Sequence, residues 1–200
     1  MVAATYETSE SVTASRCGDI EVAIPILETP PWRMASVRRI RPGDGERLRQ
    51  VRLAALSDSP FAFSSTYGQE SSISEAEWAD RARGGSDGTE RTTLIASDGN
   101  DVIGIIGGYR SQSDGPVIEL VSMWIAPSAR GKGIARELVE ALLDWAKTAH
   151  VRAVELWVTE RASSPALKLY ESAGFVPTGE RAPLRTGSHE WVARMSKSLP

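Results

Sequence analysis

The sequence predicts a mixed α/β fold, in which a central mixed, mostly antiparallel sheet is flanked by helices. Two strand-like segments, Thr92–Ala96 and Val102–Tyr109, are separated by Asp98-Gly99-Asn100, a strong signal for a hairpin. A tail in the order strand, helix, strand and helix follows, which predicts helices packed on the sheet. The 200 residues suffice for one domain with a substantial core and an appended arm.

Hydrophobic periodicity and breaker residues define the elements in order. Ser36–Arg41 is predicted to be a strand that ends at Pro42-Gly43-Asp44, and Asp44 is expected to cap a helix running to Leu56. The basic side of that helix is predicted to be a solvated face rather than a binding patch, and holds Arg47, Arg49 and Arg52. The later predicted elements are a loop at Ser59–Tyr67, a helix at Glu75–Arg83, a mobile segment at Gly84–Gly88, the two hairpin strands, a strand at Val117–Ile125, an amphipathic helix at Gly133–Ala149, a strand at Ala153–Val158, a helix at Pro165–Ala173 and a last strand at Glu190–Met195.

Residues 1–33 are predicted to form an arm that precedes a domain at 34–200. The arm is rich in Ser, Thr and Glu as far as Asp19, a composition typical of mobile segments. Its apolar stretch Ile20–Leu27 is a candidate for an extra edge strand. The arm is therefore expected to be partly flexible.

Composition excludes several classes of function. No apolar run approaches the roughly 20 residues of a membrane span, and the N-terminus lacks the pattern of a secretion signal. One cysteine, Cys17, and two histidines form no cluster at metal-ligand spacing. The net charge of −3 gives no electrostatic case for nucleic-acid binding. We expect a cytoplasmic protein, a monomer or homodimer, without a metal.

The segment after the strand that ends at Ile125 carries the most informative chemistry, because a basic, glycine-containing loop opens directly into a helix. The first amides of a helix have no intrahelical acceptors, and the helix dipole places partial positive charge there. Gly131 and Gly133 allow a phosphate to approach the backbone, and Arg130 and Lys132 add positive charge. This arrangement predicts an anion site.

Other interpretations of the same loop fit less well or remain open. No Gly-x-x-x-x-Gly-Lys-Ser/Thr sequence is present, which disfavours an NTP-hydrolysing P-loop. Gly131-Lys132-Gly133-Ile134-Ala135-Arg136 lacks the third glycine of the dinucleotide fingerprint. A plain basic turn before a helix explains the loop equally well when the loop is considered alone.

Two motifs at matching spacing resemble those of a known family. Arg130-Gly-Lys-Gly-Ile-Ala135 resembles the Arg/Gln-x-x-Gly-x-Gly/Ala signature of the GNAT acetyltransferases. Ser163-Ser-Pro-Ala-Leu-Lys-Leu-Tyr-Glu-Ser-Ala-Gly-Phe175 is similar to the family's Asn-x-x-Ala-x-x-x-Tyr-x-x-x-Gly-Phe segment. Upstream, Arg52–Phe63 resembles the first helix and loop of many bacterial members. The resemblance covers roughly Ser36 to Met195 and implies the GNAT acyl-CoA N-acyltransferase fold.

This resemblance implies that acetyl passes from acetyl-CoA to a primary amine by direct attack, without a covalent enzyme intermediate. The pyrophosphate would bind at the loop, and the pantetheine arm would pair with the preceding strand, where the Met123 N–H is the candidate to polarise the thioester carbonyl. The cofactor-binding residues implied are Met123, Trp124, Ile125, Arg130, Gly131, Lys132, Gly133, Ile134, Ala135, Arg136 and Ser163. Ser163 stands where the family most often has asparagine, so that contact is expected to be lost or water-bridged.

Glu119 and Tyr170 are the candidate base and acid. Strand alternation places Glu119, Val121, Met123 and Ile125 on one face, where apolar neighbours would raise the pKa of the carboxylate. Glu119 also matches the catalytic glutamate of GNAT histone acetyltransferases. A solvated strand residue or a counter-ion for the substrate amine is the alternative. Tyr170 matches the family tyrosine near the cofactor sulfur, and simple packing is its alternative.

The acceptor stays open between protein lysines and small-molecule amines. Aromatic side chains in the expected acceptor groove suit an apolar stem below an ammonium group, although core packing explains most such residues. They are Phe61, Phe63, Tyr67, Trp78, Tyr109 and Trp191. The alternative function is a non-catalytic acyl-CoA-binding regulatory module, against which the presence of both Glu119 and Tyr170 argues.

Overall fold

The structure, a computed structural model, describes residues 35–111, 115–160 and 164–200. In this part of the chain, one seven-stranded sheet is flanked by helices, which confirms the predicted fold class. The elements are β1 (Ser36–Arg39), α1 (Gly45–Asp58), α2 (Tyr67–Ser71), α3 (Glu75–Ser86), β2 (Arg91–Asp98), β3 (Asp101–Arg110), β4 (Val117–Ile125), a 3-10 turn (Pro127–Ala129), α4 (Ile134–Thr148), β5 (Ala153–Thr159), α5 (Pro165–Ser172), β6 (Val176–Pro183) and β7 (Trp191–Ser198). The arm at 1–33 lies outside the described residues, so its partial flexibility and edge strand stay predictions.

The sheet has the strand order β1-β2-β3-β4-β5-β7-β6, in which β4 and β5 are parallel and the other neighbours are antiparallel. The predicted hairpin joins β2 to β3, with Asp98 opposite Asp101 and Gly99 at a φ of 57°. The parallel pair needs a crossover, which α4 provides. The ends of β4 and β5 therefore point the same way, and the loop before α4 begins at that end.

Two hydrophobic cores lie on opposite faces of the sheet. The core beneath α4 and α5 includes Leu138 and Leu142, which lie one helical turn apart on α4 and are fully buried. Burial of each such leucine stabilises the fold by about 1.5–3 kcal/mol. The second core packs α1 and α3 against the other face, around Ile95, Ile105 and Trp78.

The predicted mobile segment at Gly84–Gly88 is wrong for its first half, since α3 continues through Gly84 and Gly85 to Ser86. A Cβ at Gly85 would lie 2.7 Å from Thr93 Oγ1, so the absence of a side chain lets the helix pack directly on β2. Gly85 therefore allows α3 to pack closely on β2, and the two glycines do not interrupt the helix.

Two elements were not predicted. The short helix α2 begins with a reciprocal capping box between Thr66 and Gln69. The strand β6 contains two prolines and Gly179 and has no alternating burial, as its position at the sheet edge permits. Asp44 precedes α1, but its carboxylate accepts from the Arg41 N–H and the Arg38 guanidinium instead of capping the helix amides.

No helix among the described residues combines the length and hydrophobicity needed to cross a membrane. In the same residues, no group of three or more His, Cys, Asp or Glu side chains is arranged to hold a metal ion.

Candidate active site

The parallel strands β4 and β5 separate part-way along their length. Their pairing ends at Leu120 and Leu156. Beyond that point β5 stays paired with β7 as far as Thr159, and β4 runs on beside β3 to Ile125. The separation gives β4 an open edge towards β5, of the kind that an extended ligand can pair with.

A β-bulge in β4 lies within this separation. Between the pairs Val121–Gly107 and Trp124–Ile105, β4 contains one residue more than β3. Ser122 takes up the extra length with a φ of 58°, in the left-handed region that serine rarely adopts. The bulge redirects the side chains and backbone groups that follow it.

Because of the bulge, the prediction that Glu119, Val121, Met123 and Ile125 share one face of β4 is wrong. Ile118 and Ile125 pack in the same core beneath α4, although they are an odd number of positions apart and an unbroken strand would separate them. Glu119 therefore lies with Val121 on the α1–α3 side of the sheet, whereas Met123 packs on the α4 side with Ile125.

The loop before α4 leaves room for a ligand in front of its amides. Gly131 and Gly133 have φ angles of 76° and 82°, and a Cβ at either position would meet nothing within 4 Å. Gly133 occupies the N-cap of α4 without a side-chain cap. Among the described residues, no acceptor is bonded to the amides from Gly131 to Ala135. These amides, at the positive end of the α4 dipole, fit an anion.

Arg130 is held by the protein rather than presented to that space. Its guanidinium forms an ion pair with Asp58, and its Nε donates to the Ile125 carbonyl at 3.1 Å. Asp58 also accepts from Trp124 Nε1 at 2.9 Å. Although burial alone would raise it, hydrogen bonds from Trp124, Ser59 and Arg130 and the positive charge of Arg130 hold the pKa of Asp58 below its ordinary value. Arg130 therefore fixes the end of α1 to the loop.

Sequence reasoning missed Asp58, although one signal was available. An acidic residue in the last turn of a helix is disfavoured by the helix dipole, and no basic residue follows it in that turn. Such a residue is expected to have a cationic partner elsewhere in the fold, here Arg130.

The remaining predicted cofactor contacts differ in their surroundings. Arg136 pairs with Glu140 one turn along α4, with 2.8 Å between Nε and Oε1. Lys132 is exposed in the loop. Ser163 lies outside the described residues, so its role stays a prediction. Lys132 thus lies in the loop with the open amides, whereas Arg130 and Arg136 form ion pairs with Asp58 and Glu140.

Glu119 is half-buried and hydrogen-bonded on the α1–α3 side of the sheet. The Tyr109 hydroxyl donates to Glu119 Oε2 at 2.9 Å. Burial, reinforced by this hydrogen bond and by the charge of Glu119, raises the pKa of Tyr109 to about 12, so the phenol stays protonated at neutral pH. On the other side, Glu119 lies opposite Glu155, which is ion-paired with Arg194.

A cavity of about 430 Å³ lies beside the bulge, on the same side of the sheet as Glu119. Tyr109, Val121 and Ser122 contribute to its lining, and residues of α1 and α3 form another part of the wall. Arg52 belongs to that wall, and its side chain is 12% exposed and ion-paired with Glu70 at 3.0 Å. The prediction of a solvated basic face on α1 is therefore wrong for Arg52.

Tyr170 lies in the core beneath α4 and α5. It is 4% exposed and makes an edge-to-face contact with Phe175, with ring centroids 5.7 Å apart. Burial raises the pKa of its hydroxyl above the ordinary value of 10, so the group carries its proton at neutral pH. The same core contains Ile125 of β4, which places Tyr170 on the α4 side of the sheet.

Residues 53–175 match the model of the Acetyltransferase (GNAT) family. This range is more than half of the chain and contains Glu119, the loop before α4 and Tyr170. The chain belongs to the GNAT family.

Two curated relatives and a solved structure are similar to this GNAT chain. N-acetylaspartate synthetase of Xenopus tropicalis is 37% identical over 98 residues, which cover 49% of this chain and 33% of that protein. L-2,4-diaminobutyric acid acetyltransferase of Vibrio parahaemolyticus is 27% identical over 70 residues, which cover 35% of this chain and 39% of the relative. The chain thus spans only 33% and 39% of the length of these two relatives.

A Salmonella typhimurium structure, solved with its cofactor acetyl-CoA, superposes with a TM-score of 0.67 at 18% identity and covers 84% of this chain and 95% of that one. At this identity the likeness establishes the fold.

Proposed function

We propose that this GNAT chain is an N-acetyltransferase that transfers acetyl from acetyl-CoA to a primary amine. The observation that carries the proposal is the row of open amides at Gly131–Ala135, at the end where β4 and β5 separate. A pyrophosphate suits the amides, and an extended pantetheine arm suits the open edge of β4. The relatives named for N-acetylaspartate and diaminobutyric acid support an amine as acceptor.

Acetyl-CoA supplies an activated thioester, and the residues of this chain have three tasks: to bind it, to take a proton from the ammonium, and to return one to the thiolate. The fit to the first task is good, since a phosphate could approach Gly131 and Gly133 without meeting a side chain. We assign the thioester carbonyl to the amide of Met123, which directly follows the bulge.

We assign Glu119 as the base for the attacking amine. Its carboxylate lies on the same side of the sheet as the cavity, and it is positioned by a hydrogen bond from the hydroxyl of Tyr109, which lines that cavity. Proton transfer can be direct or through a water. Glu119 lies on the face of the sheet opposite to α4, whereas Tyr170 lies in the core on the α4 side. The base would therefore act on the amine from one side of β4, and the acid would act on the leaving group from the other side.

We assign Tyr170 as the acid that protonates the departing thiolate. Its phenol carries a proton at neutral pH and can donate it to the sulfur. A nucleophile on the protein is not required, because the amine itself attacks the thioester carbonyl, its nitrogen loses the proton to the base, and the carbon–sulfur bond breaks.

Thiol release from acetyl-CoA, measured with a panel of lysine peptides and small amines, tests the proposal. Turnover with at least one amine is the expected result, and Glu119→Gln should lower kcat/KM by about 100-fold or more. Glu171→Gln, on the exposed side of α5, is the control and should keep the wild-type rate. Tight CoA binding with no turnover on any acceptor would refute the enzyme and favour a regulatory module.

A further inference from the structure

The cavity beside the bulge has a cationic wall. Three arginines contribute to it, Arg52 on α1, Arg81 on α3 and Arg91 at the start of β2. Glu70 is the acidic residue of the lining, and its carboxylate serves both Arg52 at 3.0 Å and Arg81 at 3.5 Å. Arg81 also pairs with Glu77, outside the cavity, at 3.0 Å.

Arg91 is the cation that these carboxylates leave uncompensated. Among the ion pairs of the described residues, none includes Arg91. Its side chain lies across α3 at Gly84, where a Cβ would be 3.2 Å from Arg91 Cδ. Gly84 therefore makes room for the Arg91 side chain, which is exposed and belongs to the lining of the cavity, where it can receive an anion.

Three buried polar atoms of lining residues, Trp78 Nε1, Arg52 Nη1 and Thr92 Oγ1, have no hydrogen-bond partner among the described residues. Trp78 is 2% exposed, and its Nε1 has no hydrogen-bond partner. Nη1 of Arg52 is likewise buried and unpartnered, although the guanidinium lies over the Phe63 ring.

The register places this cationic wall and Glu119 on one face of the sheet. Arg91 lies opposite Tyr109 on β3, and Tyr109 lies opposite Glu119 on β4. Paired strands are roughly 4.8 Å apart, so the backbones of Arg91 and Glu119 are about 10 Å apart in one row. A carboxylate bound near Arg91 would leave an amine a few bonds away within reach of Glu119.

We propose that the acceptor is a small amine that bears a carboxylate, as a free amino acid does, and that Arg91 binds this carboxylate while Glu119 receives the amine. This inference rests on the proposed acetyltransferase function and narrows its substrate class. A free carboxylate distinguishes such an acceptor from a lysine within a protein chain and from a polyamine. The cavity, about 430 Å³, is large enough for an amino acid with bound water.

Acceptor pairs that differ only in the carboxylate test the proposal. Kinetics with acetyl-CoA would compare 2,4-diaminobutyrate with 1,3-diaminopropane, and lysine with 1,5-diaminopentane. The carboxylate-bearing member of each pair should have a kcat/KM at least about tenfold higher, as expected when a site that pairs the carboxylate loses its partner. Equal values, or a preference for the decarboxylated member, would overturn the inference and leave the acetyltransferase function standing.

A matched pair of variants locates the effect. Arg91→Gln should raise KM for the carboxylate-bearing acceptors by about tenfold or more and leave the decarboxylated amines unchanged. Arg83→Gln, an exposed arginine of α3 that pairs with Asp80, should change neither. Equal losses for both members of a pair in Arg91→Gln would contradict the assigned role of Arg91.

Calorimetry separates the two levels of the proposal. Titration of CoA tests the proposed function alone, and titration of 2,4-diaminobutyrate into the CoA complex tests the cavity. Binding of CoA together with binding of the amino acid that Arg91→Gln weakens supports the inference. Binding of CoA without any such binding would overturn it, and absence of both CoA binding and turnover would overturn the proposed function as well.

Discussion

Replacement of Gly133 by aspartate tests whether the start of α4 binds the pyrophosphate of acetyl-CoA. Gly133 has a φ of 82°, and its missing Cβ would meet nothing within 4 Å. The aspartate side chain therefore fits sterically, and the cost is limited to the left-handed backbone, about 1–2 kcal/mol for a residue with a Cβ. A domain with ordinary stability survives a loss of this size.

The effect on binding should be much larger than the effect on stability. The new carboxylate would lie among the amides from Gly131 to Ala135, where the ligand carries negative charge. Two unit charges 4 Å apart repel by about 4 kcal/mol at an effective dielectric constant of about 20. Because about 1.4 kcal/mol corresponds to a factor of ten, the affinity for CoA should fall by about 100-fold or more.

Gly99→Asp is the matched control, since Gly99 also has a positive φ, 57°, and open space around its missing Cβ. It lies in the turn between β2 and β3. Calorimetric titration with CoA and urea unfolding would be measured for both variants. We expect both variants to lose a similar amount of stability, and we expect only Gly133→Asp to lose affinity for CoA. Unaltered CoA affinity in Gly133→Asp would refute the assignment of the anion site.

Two further predictions concern the acid and the buried ion pair. Tyr170→Phe should lower kcat by about 100-fold in steady-state kinetics and leave the Kd for CoA unchanged in calorimetry. A wild-type rate in this variant would show that Tyr170 is not the acid. Glu70→Gln should lower the free energy of unfolding by about 3 kcal/mol at neutral pH, because Arg52 stays buried without its carboxylate. Burial alone would raise the pKa of Glu70, but pairing with Arg52 and Arg81 and the Ser65 hydrogen bond lower it below the ordinary value of 4.5. The stabilisation that the Glu70 carboxylate gives is therefore present above pH 4.5 and is lost as the pH falls through the lower folded-state pKa. Urea unfolding at several pH values should therefore show a gap between wild type and variant that narrows below pH 4.5, and a gap that does not change with pH would contradict this account.

The features that the sequence predicts well are local ones. The hairpin at Asp98-Gly99-Asn100 and the amphipathic helix α4 each follow from residues close in the chain, and both are present. The loop at Gly131 and Gly133 is equally local, since glycine readily adopts the positive φ that both positions have. The separation of β4 from β5 leaves an open edge on the strand with which, by the family resemblance, the pantetheine arm was expected to pair.

The features that were missed depend on residues far apart or on an irregular backbone. Ser122 adopts a positive φ inside a run of strand-forming residues, and nothing in that run marks a bulge. Consequently strict alternation places Met123 and Ile125 on the wrong face of β4. The ion pair of Arg130 with Asp58 joins positions 72 apart, and that of Arg52 with Glu70 joins positions 18 apart. Spacing along a helix cannot reveal such pairs.

A crystal structure with CoA tests the central claim most directly. The account predicts pyrophosphate oxygens within hydrogen-bond distance of the amides from Gly131 to Ala135, and a pantetheine arm along the open edge of β4 after Leu120. A pyrophosphate bound at any other position, with the amides of this loop still unpaired, would contradict it.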